Sequence, residues 1–334
     1  MTAQLAEPAP ASVGRPAAGE GRAKPARPSR PNQAGWRKGV EIAAFTGPAL
    51  IVFLTFVIAP VIFAAYCGFF NWNGNKMPTK FIGFDNYLDI LANPLFREAL
   101  AHNGFIVVMS LVVQGPLALL VALLLNQKMR GRSVLRVLLF VPYVISEVIA
   151  AVGWNLMLQF NGTINDVLLS LHIVSNPMDV PDWLSDPNIA IWVVLGLVTW
   201  KYLGFAIILF LAGMQSIPEE LAEAAAVDGA SYWKTQFHVT LPLLGPTIRI
   251  WAFLSIIGSL QLFDIVYILW GKIAEIAGTS TMATFMVQHG RDDQAFGYGN
   301  AVAVVLFLIS LVIALTYQRF VLRRDTEGAL TERR

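Results

Sequence analysis

The sequence predicts an all-α polytopic membrane protein with six transmembrane helices and both termini in the cytoplasm. Hydrophobic residues make up 56% of the 334 positions and charged residues only 14%, whereas a soluble domain carries about 25% charged residues. Six apolar segments are each close to the roughly 20 residues that a helix needs to cross a bilayer. Basic residues are concentrated in alternate connections between these segments, as the positive-inside rule requires.

The same composition excludes several classes of function. The net charge of +2, from 24 basic and 22 acidic residues, gives no indication of nucleic acid as a partner. Cys67 is the only cysteine, which excludes an intrachain disulfide and a cysteine-rich metal site. The four histidines lack metal-ligand spacing, and no Ser/His/Asp triad or paired carboxylates stand out. We therefore expect no metal and no enzyme active site on this chain.

Residues 1–38 differ from the rest of the chain. They are rich in Ala, Pro and Arg and carry seven basic residues against Glu7 and Glu20. No apolar run interrupts them, so they lack the h-region of a secretory signal. Their composition predicts a disordered, basic cytoplasmic tail, with a targeting role as the alternative. A second, short cytoplasmic tail is expected at 323–334.

Residues 39–322 are predicted to form the membrane domain. A helix satisfies its backbone hydrogen bonds internally, as hydrocarbon requires, and the apolar runs are continuous rather than alternating, which excludes a β-barrel. Gln114-Gly115-Pro116 predicts a kink in the second span. The predicted spans are 42–66, 103–125, 134–158, 189–213, 247–270 and 300–321.

The positions of Lys and Arg predict the orientation of these spans. The second connection carries Lys128, Arg130 and Arg132, and both ends of the chain are basic. The third connection, 159–188, has no Lys or Arg and carries four aspartates. The connections at 67–102, 159–188 and 271–299 are therefore expected to lie outside the cell.

The fourth connection, 214–246, is too polar to span a membrane and too regular to be a plain loop. Ser216 followed by Glu219 predicts a helix start, with Ser216 as the N-cap and Glu219 completing a capping box. Asp228-Gly229 predicts the end of this helix, with Gly229 adopting the positive φ of a C-terminal cap.

A second short helix is expected over 231–239, ending before Leu241-Pro242 because the residue before proline avoids the α region. The first helix has alanines that let a partner approach closely, and an acidic flank for specific contacts. We interpret it as a protein-docking helix. The alternative is an amphipathic helix in the headgroup layer, but such helices are usually rich in Lys and Arg, and here Lys234 stands alone against four acids.

The segment Glu223-Ala224-Ala225-Ala226-Val227-Asp228-Gly229-Ala230, followed by Leu241-Pro242-Leu243-Leu244, resembles the EAA loop of permease subunits in bacterial ABC importers. Four further segments resemble the carbohydrate-uptake branch, the family of the maltose and glycerol-3-phosphate permeases. They are Phe81-Ile82-Gly83-Phe84-Asp85-Asn86-Tyr87, Phe140-Val141-Pro142, Gln215-Ser216-Ile217-Pro218 and Phe296-Gly297-Tyr298-Gly299. The similarity covers about residues 40–322. This sequence departs from the maltose permease in lacking that protein's extra N-terminal spans and its inserted external domain.

This resemblance implies a type I ABC importer transmembrane domain in the bacterial cytoplasmic membrane. It implies binding-protein-dependent uptake of a carbohydrate, which we take to be an oligosaccharide. The implied partners are a second homologous permease subunit, two cytoplasmic ABC ATPase subunits and an extracellular sugar-binding protein. The EAA helix is similar to the coupling helix that docks on the ATPase, which implies coupling roles for Glu223, Ala224, Ala225, Asp228 and Gly229.

No P-loop signature occurs in the sequence, because the only Gly-Lys pair, Gly271-Lys272, is followed by Ile273 and has no glycine at position 266. ATP and Mg²⁺ are therefore expected on the partner ATPase, with no cofactor on this chain.

Three ionisable residues stand out within the predicted spans: Glu147, Lys201 and Asp264. Such residues cost about 2.5–3.5 kcal/mol each on insertion scales and usually face a cavity or a partner. One interpretation is an ion pair between Lys201 and either carboxylate. The other is a polar translocation path.

Spans four and five also combine aromatic and uncharged polar residues, which suits a sugar because its C–H faces are apolar and its hydroxyls need hydrogen-bond partners. The resemblance to the maltose permease implies sugar contacts in these two helices, near Lys201, Tyr202, Phe205, Ser255, Ser259 and Leu262. The predicted substrate pathway is Trp200, Lys201, Tyr202, Phe205, Ser255, Ser259, Gln261 and Asp264. Packing against lipid or other helices is the alternative for the aromatic residues.

Two other functions remain open from the sequence. An ion-coupled secondary transporter would use Glu147 or Asp264 to carry a proton. Inverted repeats and broken helices at the midplane mark that class, and the sequence has no clear repeat. A membrane scaffold would use the acidic helix to bind a cytoplasmic protein.

Overall fold

The computed structural model describes residues 33–127 and 129–322. Most of the predicted N-terminal tail, Lys128 and the predicted C-terminal tail lie outside the described residues. Gln33 already begins the first helix, so the predicted tail extends six residues too far. Ala34, Arg37 and Lys38 are strong helix formers that extend the apolar span toward the N-terminus.

The described residues form sixteen α-helices and one two-stranded hairpin. The helices are α1 (Gln33–Phe53), α2 (Ala59–Cys67), α3 (Asp85–Ala92), α4 (Pro94–Met109), α5 (Gly115–Asn126), α6 (Arg132–Val144), α7 (Glu147–Leu158), α8 (Thr163–Ser170), α9 (Pro187–Gln215), α10 (Glu219–Val227), α11 (Tyr232–Thr235), α12 (Leu241–Leu243), α13 (Gly245–Leu260), α14 (Asp264–Trp270), α15 (Met282–Met286) and α16 (Phe296–Tyr317). The strands are β1 (Phe70–Asn71) and β2 (Lys80–Phe81), which pair antiparallel with Phe70 opposite Phe81.

In the described residues, five π-helical turns follow directly on helices: Leu54–Ile58, Ser110–Gln114, Gln236–Thr240, Val287–Asp292 and Gln318–Leu322. The first three of them join two helices end to end. Five helical segments are long and apolar enough to cross a membrane: 39–67, 94–126, 187–215, 245–273 and 296–322. The bent pair α6 and α7 makes a sixth, and each predicted span lies within one of these six segments. The predicted all-α class with six apolar spans is confirmed.

Contacts between Cα atoms divide the chain into two units, with the boundary between Val57 and Ile58. The described part of the first unit is α1 with most of the following π turn. The second unit contains every other element and three clusters of buried apolar side chains. One cluster joins α7, the first half of α9 and α14; another joins α5, the second half of α9 and α13; the third joins α3, α4, α15 and α16.

The third span is not the continuous helix that its apolar sequence predicts. The helix axis turns by 93° between α6 and α7, because Ile145 and Ser146 have extended backbone angles. Pro142 lies inside α6 and lacks the N–H for one hydrogen bond in its last turns. The carbonyls of Pro142, Tyr143 and Ile145, around the end of α6, accept hydrogen bonds from Lys201 of α9.

A π turn, Ser110–Gln114, lies at the position of the predicted kink, Gln114-Gly115-Pro116. Residues 94–126 form a single helical segment, in which the Gly115 N–H donates to the Ser110 carbonyl. Pro116 stands in the first turn of α5, where its missing N–H costs little. The π turn therefore accommodates the proline without breaking the span.

Gly204 brings α9 against α6 with no room for a side chain. A Cβ atom at this position would lie 2.0 Å from the Leu139 carbonyl oxygen. We expect Gly204→Ala to destabilise the protein by about 1–3 kcal/mol, because the two helices must separate. Gly196→Ala on the same helix is the matched control, since its Cβ would meet nothing within 4 Å. Thermal unfolding in detergent compares the two, and equal midpoints would contradict the close contact.

Candidate functional site

A cavity of about 250 Å³ lies among α6, the π turn of the second span, α9 and α13. Its lining combines aromatic rings, hydroxyl groups and one amide with a few apolar side chains. The lining residues are Ser110, Gln114, Tyr143, Val198, Tyr202, Phe205, Trp251, Leu254, Ser255, Gly258, Ser259 and Leu262.

Three polar side chains of the lining form one hydrogen-bonded group. The Ser110 and Ser255 hydroxyl oxygens are 2.6 Å apart, and the Ser110 hydroxyl donates to the Gln114 side-chain carbonyl. Ser110 and Gln114 are buried in the second span, and Ser255 belongs to the fifth. The group therefore joins two spans and presents hydroxyl and amide groups at the cavity.

The aromatic part of the lining comes from α6 and α9. The Tyr143 ring stacks on Phe205 with 5.0 Å between centroids and 21° between planes, and its centroid is 6.0 Å from that of Tyr202. The Tyr202 hydroxyl donates to the Glu147 carboxylate at the start of α7. Glu147, one of the two candidate proton carriers of the secondary-transporter alternative, is thus bonded to a cavity-lining tyrosine.

Lys201, next to Tyr202 on α9, is buried and only 3% exposed. Its Nζ donates to the carbonyl oxygen of Ile145 at 2.6 Å and to those of Pro142 and Tyr143 at 3.3 and 3.4 Å. These carbonyls end α6, where a cation is favourable because it meets the negative end of the helix dipole. In the described part of the chain, Lys201 forms no ion pair with Glu147 or Asp264.

The cavity brings together four of the eight predicted pathway residues: Tyr202, Phe205, Ser255 and Ser259. The other four lie outside its lining. Lys201 bonds the end of α6, Trp200 packs edge-on against Trp154, and Gln261 and Asp264 are exposed. Gln261 and Asp264 are absent from the lining because the fifth span also breaks after Leu260. These two residues therefore no longer continue the helix face that carries Ser255 and Ser259.

The second break is held by side chains from elsewhere in the fold. The Asn103 amide donates to the Ser259 carbonyl at 2.7 Å and its oxygen accepts from the Met282 N–H at 2.8 Å. The Thr281 hydroxyl donates to the Leu262 carbonyl at 2.8 Å. These bonds tie the break to the second span and to the segment before α15, and they hold Ser259 and Leu262 at the cavity.

Sequence reasoning missed Ser110, Gln114, Tyr143 and Trp251. A detectable signal exists for the first two, because polar residues four positions apart in an apolar span share one helix face. Trp251 gave no such signal. It fits beside the second span because a Cβ at Gly115 would lie 2.3 Å from its ring.

The predicted coupling helix is α10, and no described residue within it is buried. Its N-terminus differs from the prediction. Pro218 is the N-cap, and the Ser216 hydroxyl donates to the Gly213 carbonyl at 2.7 Å. The predicted capping box is therefore wrong, because Ser216 still has the backbone angles of a helix and caps the end of α9.

The C-terminus of α10 follows the prediction. Gly229 has φ +77°, its N–H donates to the Ala226 carbonyl, and the Ala230 N–H donates to the Ala225 carbonyl. This pair of bonds is a complete Schellman motif, which ends the helix sharply. Val227, just before the cap, is 88% exposed.

The sequence predicts that the helix after α10 ends before Pro242, but in the structure it continues past this residue. α11 continues through a π turn into α12, and the Leu241 N–H donates to the Gln236 carbonyl. The wider turn accommodates Pro242 in the first turn of α12. The Tyr232 hydroxyl donates to the Leu123 carbonyl at 2.9 Å, which ties this connection to the end of the second span.

Comparisons with known proteins agree on one family. The family model described as "Binding-protein-dependent transport system inner membrane component" matches residues 114–325. The arabinooligosaccharides transport system permease protein AraP of Bacillus subtilis is 32% identical over 86% of this chain and 92% of its own length. The trehalose/maltose transport system permease protein MalF of Thermococcus litoralis is 32% identical over 81% of this chain and 90% of its own length.

Two further similarities concern a third permease and a solved structure. The diacetylchitobiose uptake system permease protein NgcF of Streptomyces coelicolor is 30% identical over 85% of this chain and 82% of its own. A crystal structure of a bacterial ABC transporter involved in alginate import contains a chain that matches with a TM-score of 0.74 at 24% identity, covering 87% of this chain and 99% of that one. The latter similarity establishes a shared fold.

Proposed function

The chain belongs to the binding-protein-dependent transport system inner membrane component family, and on this basis we propose that it is the permease subunit of an ATP-driven oligosaccharide importer. It is a multi-pass protein of the cytoplasmic membrane and a component of a transport system, as the sequence predicts. Its relatives include permeases named for arabinooligosaccharides, trehalose and maltose, and diacetylchitobiose. These names support an oligosaccharide as the substrate class.

The cavity is the observation that carries this proposal. Tyr143, Tyr202 and Phe205 offer ring faces to the C–H faces of a sugar, and the Ser110–Ser255–Gln114 group offers hydrogen bonds to its hydroxyls. Its volume of about 250 Å³ is below the roughly 300–1,000 Å³ of a typical ligand pocket. A second homologous permease subunit is proposed to supply the rest of the site.

The coupling helix is proposed to transmit ATP-driven motion from two cytoplasmic ATPase subunits. The proposed contact residues are Glu223, Ala224, Ala225, Asp228 and Gly229. An exposed helix with a fixed end supports this role, because a partner needs an accessible and rigid surface to move the spans. An extracellular sugar-binding protein is the proposed donor of the substrate; a related alginate transporter was crystallised with its periplasmic protein.

An ion-coupled secondary transporter is the alternative. The broken third span, with Glu147 directly after the break, is the feature that favours it. Family membership favours the importer.

Reconstitution of the complete complex in proteoliposomes tests the proposed function. We expect ATP hydrolysis to rise when the binding protein is loaded with its oligosaccharide, with arabino-oligosaccharides, maltose and diacetylchitobiose as the first sugars to screen. Uptake should continue in the presence of an uncoupler and stop when ATP is removed. Uptake abolished by the uncoupler at undiminished ATP would contradict the importer and support ion coupling.

Ser255→Ala tests the cavity. Removing one hydroxyl from the polar group is expected to weaken sugar binding by about 0.5–1.5 kcal/mol, which raises the apparent KM for uptake about two- to tenfold. Ser310→Ala is the matched control, because Ser310 is also buried in a span but does not line the cavity. Equal KM values for the two variants would remove Ser255 from the substrate path.

A further inference from the structure

The cavity of the proposed sugar site has no charged side chain in its lining. None of the lining residues, all of which belong to the described part of the chain, is acidic or basic. The polar groups of the lining are serine and tyrosine hydroxyls and one glutamine amide. An ionised group on a ligand loses hydration when it enters such a cavity, and only pairing with an opposite charge recovers this cost. The lining therefore offers a charged sugar no ion pair.

Three of the lining hydroxyls direct their protons into the protein. The Tyr202 hydroxyl donates to Glu147. The Ser110 hydroxyl donates to Gln114, so the hydrogen bond between Ser110 and Ser255 must use the Ser255 proton. All three oxygens thus have only lone pairs left for a ligand. A sugar hydroxyl can donate to them, whereas a carboxylate, sulfonate or phosphate group offers mainly acceptors.

Two carboxylates and one ammonium group surround Tyr202 without lining the cavity. Glu147 accepts from its hydroxyl, and Asp264 is also close enough to act on that hydroxyl electrostatically. These two residues begin α7 and α14, the helices that follow the two breaks. The Lys201 Nζ lies 5.8 Å from the centre of the Tyr202 ring. It is bonded to three backbone carbonyls, so it cannot pair with a ligand anion without giving up these bonds.

We propose that this cavity selects uncharged oligosaccharides and rejects sugars that carry a carboxylate, sulfonate or phosphate group, with Glu147 and Asp264 as the specificity-determining residues. The inference rests on the proposed function, because it names the substrate class of the same site. An anionic sugar in contact with Tyr202 lies beside two carboxylates and meets no free cation of this chain's described residues. Cations on a second permease subunit would not remove these carboxylates from the site.

Direct binding of two matched trisaccharides tests this selectivity. The probes are maltotriose and the same trisaccharide with its C6 hydroxymethyl groups oxidised to carboxylates, so that the two differ in charge and little in size. They are added to the complete transporter in lipid nanodiscs at neutral pH. Saturation-transfer difference NMR detects binding of millimolar affinity without the sugar-binding protein, so the selectivity of that partner does not enter the measurement.

Maltotriose is expected to bind at least about tenfold more tightly than its carboxylated form. Glu147→Gln combined with Asp264→Asn should tighten binding of the carboxylated form at least about threefold and change maltotriose binding little. Glutamine still accepts from the Tyr202 hydroxyl, so the bond itself is kept. Glu98→Gln is the matched control, because Glu98 is an exposed carboxylate that does not line the cavity, and it should change neither affinity.

Equal affinities of the two trisaccharides for the unmodified transporter would overturn the proposal. A difference in affinity that the double variant leaves unchanged would also overturn it, because the two carboxylates would then not be its source. Binding of neither trisaccharide would remove the sugar site on which the inference rests. Sugar-stimulated ATP hydrolysis reports separately on the importer, so a failure of this selectivity is distinguishable from a failure of the proposed function.

Discussion

Gly229→Val is expected to separate the permease from its ATPase and to abolish uptake while leaving the permease in the membrane. Gly229 has φ +77° and ends the coupling helix. A left-handed backbone costs a residue with a side chain about 1–2 kcal/mol, and a β-branched residue more. The free variant can relieve this strain by leaving the left-handed conformation, and docking must then restore that conformation, which lowers the affinity for the proposed ATPase about tenfold. A displaced Schellman motif changes the docking surface as well.

Gly83→Val provides the matched control for this experiment. Gly83 also has positive φ, and a Cβ at either glycine meets no atom within 4 Å. Both variants therefore introduce backbone strain in an open loop, but Gly83 lies in the first connection, which is predicted to be outside the cell. The measurement is co-purification of the ATPase together with uptake in vesicles. Retention of the ATPase by Gly229→Val would contradict the docking role.

Glu223→Lys tests the same surface without straining the backbone. Glu223 is exposed on α10, so the fold does not depend on its charge. We expect this variant to weaken the ATPase contact in the same assay. Loss of the ATPase with Gly229→Val but not with Glu223→Lys would restrict the proposed contact to the end of the helix.

Lys201→Met is expected to lower both the stability of the permease and its affinity for substrate. The substitution removes three hydrogen bonds at the end of α6, and each buried acceptor left without a partner costs about 1–3 kcal/mol. It also relieves the roughly 2.5–3.5 kcal/mol cost of a charge at membrane depth. The loss of the bonds should prevail, because methionine offers no donor to any of the three carbonyls.

The effect on substrate follows from the neighbours of Lys201. It bonds the Tyr143 carbonyl directly, and the break it holds leads into Glu147, which accepts from Tyr202. A looser break displaces both tyrosines of the cavity, so the apparent KM for uptake should rise. Lys272→Met is the control, since Lys272 is an exposed lysine that does not line the cavity. An unchanged unfolding midpoint and unchanged KM for Lys201→Met would rule out this role, whereas Lys201→Arg should restore part of both.

The apolar spans and the coupling helix were predictable from sequence because their determinants are local. Continuous apolar runs of sufficient length locate a span without knowledge of its neighbours. Asp228-Gly229 after an alanine-rich run locates a helix end, because glycine adopts positive φ at little cost. The start of α10 was harder to predict. Ser216 is a suitable cap for either helix, and only the fold decides that it bonds Gly213.

The two breaks in the spans were not predictable from local sequence. Residues 134–158 are mostly apolar, and the bend after Val144 is stabilised by Lys201, which lies more than 50 positions away in the sequence. The break after Leu260 likewise depends on Asn103 and Thr281. These breaks explain why Lys201 and Asp264 lie outside the cavity lining, whereas Ser255 and Ser259 lie within it.

The hydrogen bond between the Tyr232 hydroxyl and the Leu123 carbonyl has a thermodynamic consequence for the proposed importer. The second span connects this bond to Gln114 in the cavity, nine residues away or about 14 Å along a helix. One helical segment therefore connects the proposed coupling connection with the side chains proposed to bind the sugar. Coupling between two binding equilibria is reciprocal. The free energy by which nucleotide alters sugar affinity then equals the free energy by which sugar alters nucleotide affinity. Weakening the bond between Tyr232 and Leu123 should therefore reduce these two coupling free energies by the same amount.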